Sequence, residues 1–239
     1  MIRFYAPDIA SDPVLPESES GHVVRVLRRG VGDSVEVVDG AGHIYSCTIA
    51  DAHAKHTLLR IDGVTEQPKV WLPRITVAVA PTKNADRMEW LVEKLVEIGI
   101  DRFVPLRCER SERKELKTER IEKIAVSAMK QSLKAVLPQI DATMPLMQFL
   151  CEESVTDAQK FVGYCSDTTE RRLLAKAYTP GSDVVLMIGP EGDFSPSEIE
   201  ACLKAGFVPV TMGDNRLRTE TAALVAADTI HIVNQVFEK

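Results

Sequence analysis

Val184-Val-Leu-Met-Ile188, Gly189-Pro-Glu-Gly-Asp-Phe-Ser195 and Pro196-Ser-Glu198 follow one another without a break. Five apolar residues, three of them β-branched, lie between Pro180-Gly-Ser-Asp183 and Gly189-Pro190, the pattern of a strand covered on both faces. Ser195-Pro-Ser-Glu198 then supplies a helix start, with a hydroxyl at the cap, proline at the first helical position and a glutamate three residues after the cap. Gly189 and Gly192 let the intervening loop bring backbone N–H groups close to a ligand. The same device recurs downstream: a helix over 196–205 stopped by Gly206, a strand from Val208 to Met212, then a loop opened by Gly213 that carries Arg216 and Arg218 into an Ala-rich helix from about Thr221. In open α/β sheets ligands sit beyond the carboxyl ends of strands, so the two loops are expected to line one pocket.

The rhythm of strand then helix extends back to residue 75. Ile75 to Ala80 reads as an apolar strand, and Asp86 to Ile98 places Met88, Leu91, Val92, Leu95 and Ile98 on one helical face before Gly99. A strand over Arg102–Leu106, a helix from about Thr118 to Leu137, a short helix over 146–153, a strand over Phe161–Cys165 and a helix over 169–177 complete the series. Such alternation implies an α/β fold with a mostly parallel sheet. Residues 1–66 are different. Asp33–Val38 and His43–Ile49 alternate polar with apolar around Asp39-Gly-Ala-Gly42, a hairpin signal, and His56–Ile61 offers a third strand. His22–Arg29 reads as a short helix or strand ending at Gly30. The segment 65–74 contains Pro68 and Pro73, and a boundary there divides the chain into 1–70, a small barrel, and 71–239.

Length and composition, 239 residues with 45% hydrophobic content, fit a globular protein of one large domain or two smaller ones. The five cysteines (Cys47, Cys108, Cys151, Cys165, Cys202) are odd in number and contain no C-x-x-C pair, which argues for a reducing compartment and against a disulfide frame or zinc site. No basic-then-apolar leader opens the chain, and no apolar run approaches the about 18 residues of a membrane span; the expectation is a cytoplasmic protein. A net charge of −6 disfavours a nucleic-acid partner, but residues 102–134 hold ten basic side chains against five glutamates, and Arg25, Arg28 and Arg29 form a second cluster. By charge alone, a solvated helix face laced with i,i+4 ion pairs is the stronger reading of the first cluster. The signatures of P-loop NTPases, Rossmann dehydrogenases, α/β-hydrolases and zincins are missing. His53 and His56 lack companions for a metal, and no metal is expected. The alanines at 222, 223, 226 and 227 would permit close approach of a second helix, and with it a homodimer.

The residues Ile188-Gly-Pro-Glu-Gly-Asp-Phe-Ser195 with Glu198, and Met212-Gly-Asp-Asn-Arg-Leu-Arg-Thr-Glu-Thr-Ala222, resemble the two C-terminal motifs of the RsmE family, SPOUT-class methyltransferases of small-subunit ribosomal RNA. His22-Val-Val-Arg-Val-Leu-Arg28 is similar to the family's N-terminal signature, Lys83 with Lys94–Gly99 to its first helix, Arg107–Ser111 to its R-S segment and Gln131-Ser132 to its Q-S motif. Asp193 stands where a second glycine is common, and Leu133-Lys134 where Gly-Arg is common. The resemblance implies a PUA-like β-barrel recognising RNA, then a SPOUT α/β domain with a C-terminal trefoil knot, acting as a homodimer. It implies S-adenosylmethionine held by Gly189, Glu191, Gly192, Met212, Gly213, Leu217, Arg218 and Thr221. The reaction implied is methylation of N3 of a uridine in 16S ribosomal RNA, or another RNA nucleotide such as a ribose 2′-hydroxyl; an inactive RNA-binding module is the remaining alternative. Uracil N3 carries a proton that must leave, so Arg218 is expected to stabilise the anion and Glu220 to act as base. RNA contacts are assigned to His22, Arg25, Arg28, Lys83, Arg110, Gln131 and Lys134, with naked 16S RNA or the small subunit as partner.

Overall fold

The computed structural model describes residues 2–152, 157–164 and 171–237, which pack into two compact units. One comprises Met1–Val70 with Val126–Leu137, the other Trp71–Ala125 with Pro138–Lys239. Residues 126–137 therefore join the N-terminal unit, which no single cut at residue 70 provides.

In the N-terminal unit β1 (Arg3–Tyr5) runs parallel to β2 (Ser34–Val38), and β3 (His43–Asp51) and β4 (Leu58–Glu66) follow antiparallel. The β2–β3 hairpin turns on Asp39, whose carboxylate accepts the N–H groups of Ala41 and His43 and contacts the His43 ring at 2.7 Å. Burial opposes the charge on Asp39, but these bonds outweigh it and hold its carboxyl below the usual range. Alternate residues of the strands close over Phe4, Ile9, Leu15, Val23 and Leu59, and burying each such side chain contributes about 1.5–3 kcal/mol. Helix α1 (Glu17–Gly21) passes into a five-residue π turn, His22–Val26, where the sequence allowed a plain helix or strand.

The sheet of the C-terminal unit is parallel at every described pairing. Its order is β10 (Arg172–Leu173), β12 (Val208–Thr211), β9 (Gln159–Gly163), β11 (Val184–Ile188), β5 (Ile75–Val79), β6 (Arg102–Arg107) and β7 (Gln139–Ile140), with β8 (Met144–Pro145) also on β6. The helices are α2 (Ala85–Ile98), α3 (Thr118–Gln131), of which only 118–125 belong to this unit, α4 (Leu146–Phe149), α5 (Leu174–Ala177), α6 (Pro196–Lys204) and α7 (Thr219–Phe237). β11 and β12 are consecutive in the chain yet β9 lies between them; α6 makes that crossing, and α7 then returns to pack on α2, β5 and β11. Val185 and Met187 join Ala78, Val104, Phe149 and Cys202 in one buried cluster.

Three expectations are corrected. The helix from Thr118 ends at Gln131 rather than Leu137: Leu133 takes a φ of 55°, Leu133 N–H bonds Lys130 O and Lys134 N–H bonds Met129 O, a Schellman stop built without glycine. Val136, expected on that helix's inner face, bridges Gly40 and Ala41 instead. The segment around 169–177 contains β10 and the short α5, residues 169–170 and Cys165 lying outside the described residues. The alanines of α7 are buried within the chain itself, Ala223 and Ala227 completely, while Ile232, Val236 and Phe237 stay exposed on the same helix. Small size serves the chain's own packing here, which removes that argument for a second copy.

Candidate functional site

All the loops of interest in the C-terminal unit leave the carboxyl ends of parallel strands. Gly189 follows β11 and is buried, and a Cβ there would come within 2.9 Å of the Phe194 ring, so no larger residue fits. Its N–H reaches Gly163 O at the end of β9 (3.4 Å), and its carbonyl accepts the Thr219 hydroxyl at the start of α7 (3.2 Å). Three segments distant in sequence thus converge on one residue. Asp193 adopts a φ of 61°, the left-handed region where glycine is freest, and compensates by accepting the Phe194 N–H on its carboxylate. Ser195 and Glu198 form a reciprocal capping box for α6, and the second oxygen of Glu198 takes the Glu109 N–H at 2.7 Å. Arg110 donates to the carbonyls of Gly192 and Phe194 (3.3 and 3.4 Å).

A chain of polar contacts ties this loop to its neighbours. Glu191 accepts the Lys83 N–H at 3.2 Å and pairs with Arg87 of α2 at 3.5 Å; Arg87 also lies 3.7 Å from Glu220 in the first turn of α7. The Lys83 carbonyl accepts two bonds from the Arg113 guanidinium. Glu220 is 6% exposed, and its Oε2 has no hydrogen-bond partner. A buried, unpartnered carboxylate oxygen is costly unless a donor arrives, and it marks the place where an N–H or O–H of a ligand would be satisfied. The neighbouring thiols offer no rival chemistry: burial, with Glu198 nearby, pushes Cys202 up to about 12, and burial likewise raises Cys108.

The second glycine loop is open. Gly213 to Arg216 and Arg218 are exposed, Met212, Leu217 and Thr221 half-buried. Arg218 directly precedes α7, and its carbonyl accepts the Ala222 N–H. The glycines fit a ligand held largely by backbone, as S-adenosylmethionine would be. Of the remaining assigned residues, Lys83 and Arg110 lie in this unit, Lys83 pairing with Glu112 and Arg110 bonded to the glycine loop as described. His22, Arg25, Arg28, Gln131 and Lys134 all belong to the N-terminal unit. There the Lys130–Glu19 ion pair sets the end of α3 against the helix that leads into the π turn, so Gln131 shares that neighbourhood with His22 and Arg25. Arg25, Arg28 and Gln131 are exposed, and Arg28 takes a positive φ of 53°.

Sequence reasoning missed Arg87, Arg113 and Thr219. A cation in the first turn of a helix opposes the macrodipole, so Arg87 at the third position of α2 carried a legible signal that carboxylates must stand nearby. Arg113 and Thr219 act through backbone carbonyls and left no such trace.

A family described as RNA methyltransferase domain matches residues 70–231, and one described as RNA methyltransferase PUA domain matches residues 15–62. The "Ribosomal RNA small subunit methyltransferase E" of Synechocystis is 32% identical over 93% of this chain and 74% of its own length. Among solved structures, a "probable rRNA-methyltransferase" from Porphyromonas gingivalis is 45% identical with a TM-score of 0.93, covering 99% of this chain and 100% of that one. A ribosomal RNA small subunit methyltransferase E from Neisseria gonorrhoeae, solved bound to S-adenosyl methionine, superposes with a TM-score of 0.80 at 25% identity, covering 98% of each chain.

Proposed function

The chain belongs to the RNA methyltransferase family that includes ribosomal RNA small subunit methyltransferase E, and from that premise we propose that it methylates N3 of a specific uridine in 16S ribosomal RNA, using S-adenosylmethionine. The observation that carries the reading is Glu220, buried with one free carboxylate oxygen beside two glycine loops at the ends of parallel strands. S-adenosylmethionine supplies a methyl group already activated by its positive sulfur, so the protein's own work is holding, orienting and moving one proton. Gly189, Glu191 and Gly192 on one side and Met212, Gly213, Leu217, Arg218 and Thr221 on the other form the cradle. Glu220 Oε2 accepts the N3 proton as the nitrogen's electron pair forms the N–CH3 bond. Arg218, exposed and next in the chain but one, places its guanidinium fork where the uracil carbonyls carry the displaced charge. N3 lies on the pairing edge, so the target base must be unpaired or flipped out.

The crossing of β9 between β11 and β12, with α7 returning across the sheet, supports a trefoil knot in residues 184–237. His22, Arg25, Arg28, Gln131 and Lys134 of the N-terminal unit grip the RNA backbone, with Lys83 and Arg110 contributing from the catalytic unit. The exposed Ile232, Val236 and Phe237 support a homodimer through α7. Among the described residues no helix is long and apolar enough to cross a membrane and no cluster suits a metal ion; action on ribosomal RNA is what supports reading the enzyme as cytoplasmic. The test is deletion of the gene, followed by nucleoside mass spectrometry of 16S ribosomal RNA. Loss of one 3-methyluridine, restored by the purified protein with small subunits or naked RNA, is the expected result, whereas loss of a ribose methyl group favours the 2′-hydroxyl instead.

A further inference from the structure

Arg87 faces two carboxylates that are not equivalent. Glu191 is exposed and keeps a second tie, the Lys83 N–H on its Oε2. Glu220 is buried, and among the described residues Arg87 is the cation paired with it, through Oε1 at 3.7 Å. Removing Arg87 would leave the Glu191 loop anchored by Lys83, by Arg110 and by the Glu198 capping box. Among the described residues it would leave Glu220 without a paired cation. The placement also has a cost, since a guanidinium in the first turn of α2 meets the positive end of the helix, and the carboxylates offset it.

We propose that Arg87 is a positioning residue for the methyl-transfer step: by engaging Oε1 it fixes the Glu220 carboxylate so that Oε2 stays free to accept the substrate's N–H proton. The inference rests on the reading of Glu220 given above. In the step, the substrate N–H bond breaks and its proton ends on Glu220 Oε2, the freed electron pair forms the bond to the methyl carbon, and the bond from that carbon to the donor's sulfur breaks with its electrons staying on sulfur, which leaves as a neutral thioether. Arg87 keeps its charge throughout, as guanidinium does in proteins. A role as a mere staple between α2 and the glycine loop makes the opposite demand: loss of Arg87 would then loosen Glu191 and weaken the cofactor.

Wild type, Arg87→Gln, Arg87→Lys, Glu220→Gln and the double glutamine variant separate these roles. Each is measured by calorimetry with S-adenosylmethionine, by thermal unfolding without ligand, and by single-turnover transfer of labelled methyl to small ribosomal subunits from cells lacking the gene. Arg87→Gln is expected to keep cofactor affinity within about threefold, to lower Tm by about 3 °C because a buried carboxylate loses its counter-charge, and to slow transfer by about 30-fold or more. Arg87→Lys recovers part of the rate, as a point charge without the planar fork. In the Glu220→Gln background Arg87→Gln changes neither rate nor Tm further, the mark of one residue acting through the other. Losses that multiply in the double variant, or a cofactor affinity that falls in step with the rate, would overturn the positioning role. Wild type that leaves the subunits unmethylated would overturn the functional reading instead, while the Tm cycle still decides whether Arg87 serves Glu220.

Discussion

The loop from Gly189 to Ser195 is closed by bonds from β9, α2, α6, α7 and the segment after β6, whereas the loop from Met212 to Arg218 is held mainly at its entry, where Thr211 and Gly213 exchange two hydrogen bonds. The first is a wall tied on several sides by the chain itself; the second carries Arg216 and Arg218 outward, both exposed. Preorganised and adaptable walls divide the labour of a binding site, the one lowering the entropy cost of binding and the other supplying charge where it develops. Damage to the two loops should therefore register in different measurements.

The largest effect is expected at Arg218. Arg218→Lys should slow single-turnover methylation about 10²-fold while the cofactor still binds and Tm stays unchanged, because an exposed side chain contributes little to folding. A rate within about threefold of wild type, less than roughly 0.7 kcal/mol in the barrier, would deny the open loop its catalytic part. Next comes Glu198→Ala in the closed loop. It strands the N–H groups of Ser195 and Glu109, and should lower stability by about 2–3 kcal/mol in denaturant titrations and weaken S-adenosylmethionine with it. Unchanged stability would mean the wall is not prebuilt. Arg25→Ala with Arg28→Ala tests a region outside both loops: RNA affinity should fall and its salt slope shrink by up to about 2, while calorimetry with the cofactor stays the same. The smallest effect separates two residues of similar backbone, Leu133 (φ 55°) and Asp193 (φ 61°). Leu133→Gly should raise stability by about 1 kcal/mol, since leucine gains nothing from the left-handed region. Asp193→Gly should gain less or lose, because its carboxylate holds the Phe194 N–H.

Legibility followed the range of the interaction. β11 was readable to the residue, since Val184–Ile188 is an apolar run between turn residues, and α6 was readable from Ser195 and Glu198, a local cap. Helix α2 was one residue longer than its periodicity suggested. The end of α3 was not readable, because a Schellman stop usually advertises itself with glycine and Leu133 does not. β1, β7 and β8 went unseen: they are two or three residues long and exist only through distant partners on β2 and β6. In the site, the glycine loops and Glu220 stood out as residue types in a pattern, but their unequal anchoring did not, since Arg110, Arg113 and Thr219 bond backbone carbonyls that carry no side-chain signature.

Residues 126–137, which complete the N-terminal unit, are synthesised long after residue 70 has been made. Until they appear, Gly40 and Gly42 lack the backbone partners Leu137 and Ala135, Arg3 lacks the Leu133 carbonyl, and Glu19 lacks Lys130. At about 5–20 residues per second a ribosome needs some seconds to deliver that segment. The first unit to emerge is therefore not the first to finish. A gene fragment ending near residue 70 would yield a chain whose hairpin tip lacks those two backbone bonds and whose buried Glu19 has no Lys130 to pair with, so the N-terminal unit is complete only once residue 137 has been made.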